Sequence, residues 1–300
     1  MERNLQAVNA FRDNPEAILA LTQSHEQTVA WLRENNIIRG SFHCCGNECV
    51  IVQDRTRLDG EEFRCVFRSC RTRLSIREGT FLASFRRIPI VVLTRIVFFY
   101  FVQGTSANRV TRRLVRDGIQ ISRRTTARIY DTIREEIVTY MRRVVYSRVL
   151  IGNIEMDEAL FTHRAGFGRR GNRQVWVVGM VERTSGHSLV FVVENRNSAT
   201  INDLIRHNIA IGSRIITDGW RGYHRIPRAY RHINVLTNPG FTTSQVEGFW
   251  GQLRARIRAI YSSGVIEGNV NKFLQEILWR RNLDHAREDI LPALIEILAN

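Results

Sequence analysis

Three acidic side chains stand where a carboxylate is expensive. Asp157 follows Ile154-Glu-Met156 in an apolar run, Asp218 follows Ile215-Ile-Thr217, and Glu247 lies near the start of a helix-patterned segment. A charged carboxylate beside a core strand is costly unless it is paired or holds a metal. If the strands before Asp157 and Asp218 are neighbours in one sheet, both carboxylates emerge at the same edge. Joined by Glu247, they could hold two divalent ions roughly 4 Å apart, an arrangement that activates an attacking oxygen and stabilises a leaving one in phosphodiester cleavage. Mg²⁺, or Mn²⁺ in its place, suits such hard oxygen ligands and needs few protein carboxylates, because water and phosphate complete its shell. Each acid also has an ordinary reading. Asp218-Gly219 can be a turn, Asp157-Glu158 a solvated strand end, and Ser244-Gln-Val-Glu247 a capping box in which the glutamate caps its own helix. Their joint placement, with sixty residues between the first two and twenty-eight between the second and third, favours a shared site.

A second constellation precedes them. All five cysteines fall between Cys44 and Cys70, in Cys44-Cys45-Gly-Asn-Glu-Cys49 and Cys65-Val-Phe-Arg-Ser-Cys70. Such clustering cannot make a chain-wide disulfide framework and favours metal in a reducing compartment. Two close pairs on separate turns, joined by strand-like Val50-Ile51-Val52, can arrange four thiolates tetrahedrally around a structural Zn²⁺. The expected ligands are Cys45, Cys49, Cys65 and Cys70, with Cys44 an open alternative to Cys45; the competing reading is a set of buried free thiols.

The charge balance supplies a partner. A net charge of +15 and a pI near 10.8 point to a polyanion. Lys272 is the only lysine among 44 basic residues, so the rest are arginines, whose forked guanidinium grips phosphate in bidentate fashion. With 44% hydrophobic residues and five prolines the chain can bury a core, which excludes a disordered basic tail. The longest apolar run, Ile88 to Val102, is interrupted by Arg95 and is too short for a membrane span, so it reads as a buried helix. The first residues do not resemble a secretion signal. The expected location is nuclear in a eukaryotic host and cytoplasmic otherwise, with no membrane partner.

These residues need a scaffold. Helical spacing runs from Asn14 to Ile38. Ser106 to Arg116 reads as a short helix closed by Asp117-Gly118, and Ser122 opens a second helix, the outline of a helix-turn-helix. Arg123, Arg124 and Arg128 would then face a duplex; the alternative is two bundle helices with a solvated basic face. Strands are expected at Val149–Met156, Val175–Val181, Leu189–Val193, Arg214–Thr217 and Ile233–Val235, with a helix at Thr200–His207 and a long one from Ser244 to about Tyr261. On that long helix Glu247, Gly251, Arg254 and Arg258 share a face beside the apolar stripe of Val246, Phe249, Trp250 and Leu253. The basic glycine-rich stretch from His163 to Arg173, with Arg169 and Arg170, reads as a loop on DNA backbone. His232 is either a phosphate-positioning group or a surface histidine, and Trp220 and Tyr223 are read as packing residues.

Taken in order, Ile154-Glu-Met-Asp-Glu158, Trp176-Val-Val-Gly-Met-Val-Glu-Arg183, Thr217-Asp-Gly-Trp-Arg-Gly-Tyr223 and Thr243-Ser-Gln-Val-Glu-Gly-Phe-Trp250 resemble the Merlin superfamily of DDE transposases and the related bacterial insertion-sequence transposases with an ISXO2-like domain. Upstream, Cys65 to Cys70 followed by Leu74-Ser-Ile-Arg-Glu-Gly-Thr-Phe81 is similar to the zinc-ribbon end and the segment before the catalytic domain in that family. The resemblance covers roughly residues 40 to 282. It implies an α/β ribonuclease-H-like catalytic core with a mixed sheet, in which Asp157, Asp218 and Glu247 match the metal-binding triad. It also implies cleavage beside terminal inverted repeats, attack of the freed 3′-hydroxyl on target double-stranded DNA, and a homo-oligomer assembled on the DNA. The expected organisation is a helical lead-in (1–40), a zinc-ribbon module (41–85), a helical region with the helix-turn-helix (86–148), the catalytic domain (149–282) and a C-terminal helix (283–300). A decayed copy that only binds DNA, and a stand-alone nuclease on the same fold, are the alternatives.

Overall fold

The computed structural model describes residues 15–101, 104–163, 173–260 and 270–299. The chain divides into two compact units, one made of residues 1–136 with 289–300 and the other of 137–288.

The first unit begins with helices α1 (Pro15–Leu21) and α2 (His25–Glu34) rather than a single lead-in helix. The break is local: Ser24 accepts the Gln27 amide at 3.2 Å and starts α2 afresh. A small hairpin, β1 (His43–Cys44) with β2 (Asn47–Glu48), turns at Cys45 and Gly46, both of positive φ. Strands β3 (Val50–Gln53), β4 (Glu61–Arg64) and β5 (Arg73–Ser75) form an antiparallel three-stranded sheet. Its inner side is pinned by buried Phe63 and by the buried ion pair of Arg77 with Asp59, with Arg77 also donating to the Phe85 and Ile88 carbonyls at 2.9 Å. The apolar run folds as helix α3 (Ile90–Phe101), and Arg95 in its middle donates to the hydroxyl and carbonyl of Thr22 at 2.8 and 3.0 Å. Helix α4 (Ala107–Arg116) ends at Gly118, whose φ of +81° suits only glycine without strain, and α5 (Arg123–Tyr140) follows. The last helix, α9 (Ile290–Ala299), returns to this unit and buries Leu291, Leu294, Ile297 and Leu298.

The second unit is built on a five-stranded mixed sheet. Its strands are β6 (Asn153–His163), β7 (Arg173–Glu182), β8 (Ser188–Val193), β9 (Arg214–Thr217) and β10 (Arg231–Asn234), in the order β10-β9-β6-β7-β8. The first three strands pair antiparallel, while β9 runs parallel to both β6 and β10. Thus the first and fourth strands are neighbours, as the expected ribonuclease-H-like order requires. Helix α6 (Ser198–Asn208) packs Ile201 and Ile205 on the face formed by Ile154, Met156, Val178, Met180 and Ile215. Helix α7 (Ser244–Ile260) lies on the other face through fully buried Val246, Phe249 and Leu253, and α8 (Val270–Ala286) packs against β8.

One strand differs from expectation in a way that matters. Strand β6 does not stop before Asp157 but continues to His163, because β7 pairs with it from Ile154 to His163. Pairing with β9, by contrast, ends at Glu155 opposite Ile216. Asp157 therefore sits where the parallel neighbour has already stopped, in the middle of a strand rather than at its tip. Among the described residues no helix is long and apolar enough to cross a membrane.

Candidate active site and cysteine cluster

Alternation along β6 sorts its acids between the two faces of the sheet. Glu155 and Asp157 point toward α7, and Glu158 points to the α6 face. Glu155 is fully buried, and its Oε2 accepts the amides of Gln245 and Val246 at 2.8 and 3.1 Å. These are first-turn N–H groups that no helical carbonyl can satisfy, and the positive end of the helix favours a carboxylate there. Its Oε1 faces the Arg183 Nε at 3.0 Å in an ion pair without hydrogen-bond alignment. The capping-box alternative for Glu247 is corrected by this contact. Glu247 accepts from the Thr243 hydroxyl at 2.7 Å, while the cap of α7 comes from a strand ninety residues earlier in the chain.

Three residues beyond Glu247, one turn along the same helix, Trp250 donates from Nε1 to Asp157 Oδ2 at 2.9 Å. The indole needs space over the sheet, and Gly179, the register partner of Asp157, supplies it: a Cβ there would lie 2.6 Å from the Trp250 ring. Burial pushes the Asp157 carboxyl up to about 6; the Trp250 bond opposes that shift, and the charges of Glu158 and Asp218 add to it. Asp218 thus lies near enough to repel Asp157. Its own loop is shaped by an Asx-type turn, with Oδ1 accepting the Trp220 amide at 2.9 Å.

The opposite face holds a second polar cluster that sequence reasoning missed. Glu158 accepts the Tyr223 hydroxyl at 2.6 Å and pairs with Arg196 at 2.7 Å. The Arg196 guanidinium lies over the rings of Trp176 and Trp220, at 3.9 and 4.7 Å from their centroids. Tyr223 is fully buried, and burial with the Glu158 charge raises its phenol well above the usual range. Trp220 meets it edge-on at 5.4 Å, so the packing reading of both aromatics holds. His232 is half-buried, with Nε2 2.9 Å from the hydroxyl of Thr217, the residue before Asp218; burial lowers its imidazole below the ordinary value, and His224 adds to that. The signal for Glu155 and Glu158 was in view: three acids within five residues of a buried strand demand partners.

Of the expected DNA-contacting arginines, Arg254 is exposed and its guanidinium lies 5.6 Å from the Phe161 ring centroid, on the Glu247 side of α7. Arg258 belongs to α7, and Arg169 and Arg170 lie outside the described residues. In the first unit Arg123 and Arg124 are exposed at the start of α5, where Ser122 Oγ accepts the Thr125 amide at 3.0 Å. Arg128 is also exposed, yet one Nη donates to the Ser84 carbonyl at 3.2 Å and the guanidinium lies over Phe85. It is therefore partly engaged within its own unit.

The cysteines do converge. The Sγ atoms of Cys44, Cys45, Cys65 and Cys70 all lie within 4.8 Å of one another, with Cys44 3.7 Å from Cys45 and 3.5 Å from Cys70. Four sulfurs around a zinc at ~2.3 Å would stand about 3.8 Å apart, so the donor set is compatible with a zinc site. All five thiols are free. Cys45, Cys65 and Cys70 are in the group as expected, Cys44 joins Cys45 rather than replacing it, and buried Cys49 is not among the four. The Thr72 hydroxyl, 2.9 Å away, leads in lowering the Cys70 thiol to about 6. Among the described residues this is the group whose donor atoms close to within 4.8 Å; the carboxylates do not close in this way.

With this geometry in hand the comparisons are informative. Residues 149–282 match the ISXO2-like transposase domain. The match bears out the ISXO2-like part of the resemblance, over residues 149–282, and these residues contain the whole mixed sheet together with α6, α7 and most of α8. No curated protein matches the chain. Solved structures similar to it include the HTLV-2 integrase catalytic core domain in complex with magnesium, at 11% identity and a TM-score of 0.30, covering 44% of this chain and 87% of that one. Another is a simian T-cell lymphotropic virus intasome with a PP2A regulatory subunit, at 13% identity and a TM-score of 0.33, covering 61% and 67%. A third is a pre-cleavage Mos1 transpososome, at 11% identity and a TM-score of 0.27, covering 64% and 72%.

Proposed function

We propose that the chain is a DNA transposase of the Merlin type that cuts beside terminal inverted repeats and joins the 3′ ends to target DNA. The reading is carried by one observation: the ISXO2-like match spans a sheet in which Asp157 and Asp218 come from adjacent parallel strands and Glu247 from the helix docked beside them. Asp157, Asp218 and Glu247 would hold two Mg²⁺ or Mn²⁺ ions. When bound, such ions polarise the phosphoryl oxygen and stabilise the attacking and leaving oxygens. The donor set fits hard cations, and the repulsion between Asp157 and Asp218 is the kind that a divalent ion relieves.

The protein's own groups do the orienting. Trp250 fixes one Asp157 oxygen and leaves the other to the site, Thr243 holds one oxygen of Glu247, and the Trp220 amide holds one of Asp218. Arg254, Arg258, Arg169 and Arg170 take DNA backbone phosphates. Arg123, Arg124 and Arg128, with a Zn²⁺ ribbon on the cysteines, hold the terminal repeats in an oligomer that brings two ends together.

The test is Mg²⁺- or Mn²⁺-dependent cleavage and strand transfer on duplexes carrying the flanking repeats, comparing wild type with Asp157→Asn, Asp218→Asn and Glu247→Gln. Each variant should keep DNA affinity and lose both reactions by at least ~100-fold. Wild type that binds the ends but never cuts would make the protein a DNA-binding relic, and cutting without joining would make it a nuclease.

A further inference from the structure

We infer that Glu155 is the positioning residue that sets the helix carrying Glu247 against Asp157 on β6. The inference rests on the triad reading above and names what holds these two acids in register. Each acid lies two residues beyond a point that Glu155 fixes. Asp157 is two residues along its own strand. Asp218 is two residues beyond Ile216, the register partner of Glu155 in β9. Glu247 is two residues beyond Gln245, whose amide Glu155 accepts at 2.8 Å. Its backbone pairs with β9 while its side chain holds α7, so one residue joins the strand, its parallel neighbour and the catalytic helix at a common level.

Chemistry explains why a carboxylate is used. A neutral amide oxygen could accept the same two bonds, but a carboxylate is held more strongly, by charge-assisted bonds to both amides and by the end of the helix dipole together. Arg183 at 3.0 Å balances the charge, so the buried anion is compensated. Glu155 cannot itself reach reacting atoms, since it is fully buried and its oxygens are committed to α7 and Arg183. Its effect passes through Glu247 and Asp157.

The readout is Mn²⁺ binding to the full chain by calorimetry or electron paramagnetic resonance, together with amide exchange in the first turn of α7. Glu155→Gln should weaken Mn²⁺ binding ~10- to 100-fold and speed exchange at Gln245 and Val246, with the melting temperature and DNA affinity nearly unchanged. A merely structural residue would lower the melting temperature and leave Mn²⁺ affinity in the folded fraction intact. Gln245→Pro gives a second route: it removes one donor at a first-turn position where proline is tolerated and should weaken Mn²⁺ binding in the same direction by less. Wild-type Mn²⁺ affinity in a folded Glu155→Gln protein overturns the inference; if that variant does not fold, wild-type affinity in Gln245→Pro overturns it. If wild type itself shows no Mn²⁺ binding that Asp157→Asn abolishes, the triad reading falls, and this inference with it.

Discussion

The cysteine ribbon and the mixed sheet both gather ligand-type side chains, but by opposite means. In the ribbon, four thiols close to within 4.8 Å on a two-residue-per-strand hairpin and a tight turn, where Val66 and Phe67 are half exposed. Little apolar burial holds those knuckles. In the second unit Asp157 rides on a ten-pair ladder over a buried core, Glu247 on a helix capped by Glu155, and Trp250 and Thr243 hold their carboxylates without the acids closing on one another. If the thiols hold Zn²⁺, the knuckles would depend on it for their structure, whereas the sheet rests on its own buried core. A structural site lets the metal do the folding; a catalytic site must be preformed and left open.

Removing metal is the sharpest way to break this contrast. Chelation should raise amide exchange at Cys49, Cys65 and Cys70 by ~100-fold or more and leave β6 and β7 protected, as hydrogen exchange with mass spectrometry would read. Equal protection with and without chelator would end the zinc assignment. A smaller effect probes the sheet. Gly179→Ala places a Cβ 2.6 Å from the Trp250 ring, which must move off Asp157. Thermal melts should show a loss of about 1–3 kcal/mol, and cleavage should fall with it. An unchanged melt would mean that Trp250 is not seated over Gly179.

The smallest effect concerns the cost of the open site. The Asp157 carboxyl, normally near 3.8, is pushed up to about 6, so between those values the folded state binds more protons than the unfolded one. Stability should then rise as pH falls from about 6 toward 4, and the charged form is a burden above pH 6. In EDTA at pH 8, Asp157→Asn should be more stable than wild type by ~1–2 kcal/mol, a figure discounted because the group is partly open to solvent, with the gain fading by pH 4. A destabilised variant at pH 8 would show that the charge is already compensated without metal.

Much of the scaffold was legible in the sequence because its signals are local. The Ser106–Arg116 helix, the Gly118 stop and the buried stripe of Val246, Phe249, Trp250 and Leu253 all follow from spacing and turn chemistry. The end of β6 was not legible, since Asp157-Glu158 interrupts the apolar pattern and only pairing with β7 keeps the strand extended. The cap of α7 was not legible for a related reason: Ser244 and Glu247 fit the local capping-box rule, but the Gln245 and Val246 amides are held by a buried glutamate elsewhere in the chain.

By itself, the sequence determined the element types, the basic character, the candidate acids and thiols, and the transposase resemblance, because composition, period and motif are properties of neighbouring residues. Only the tertiary structure decided that Glu155 caps α7, that Gly179 makes room for Trp250 on Asp157, and that Cys44 as well as Cys45 belongs to the four thiols that close to within 4.8 Å. Those choices join residues tens of positions apart in the chain, and their energies come from burial and the satisfaction of polar groups, which exist only once the chain has folded.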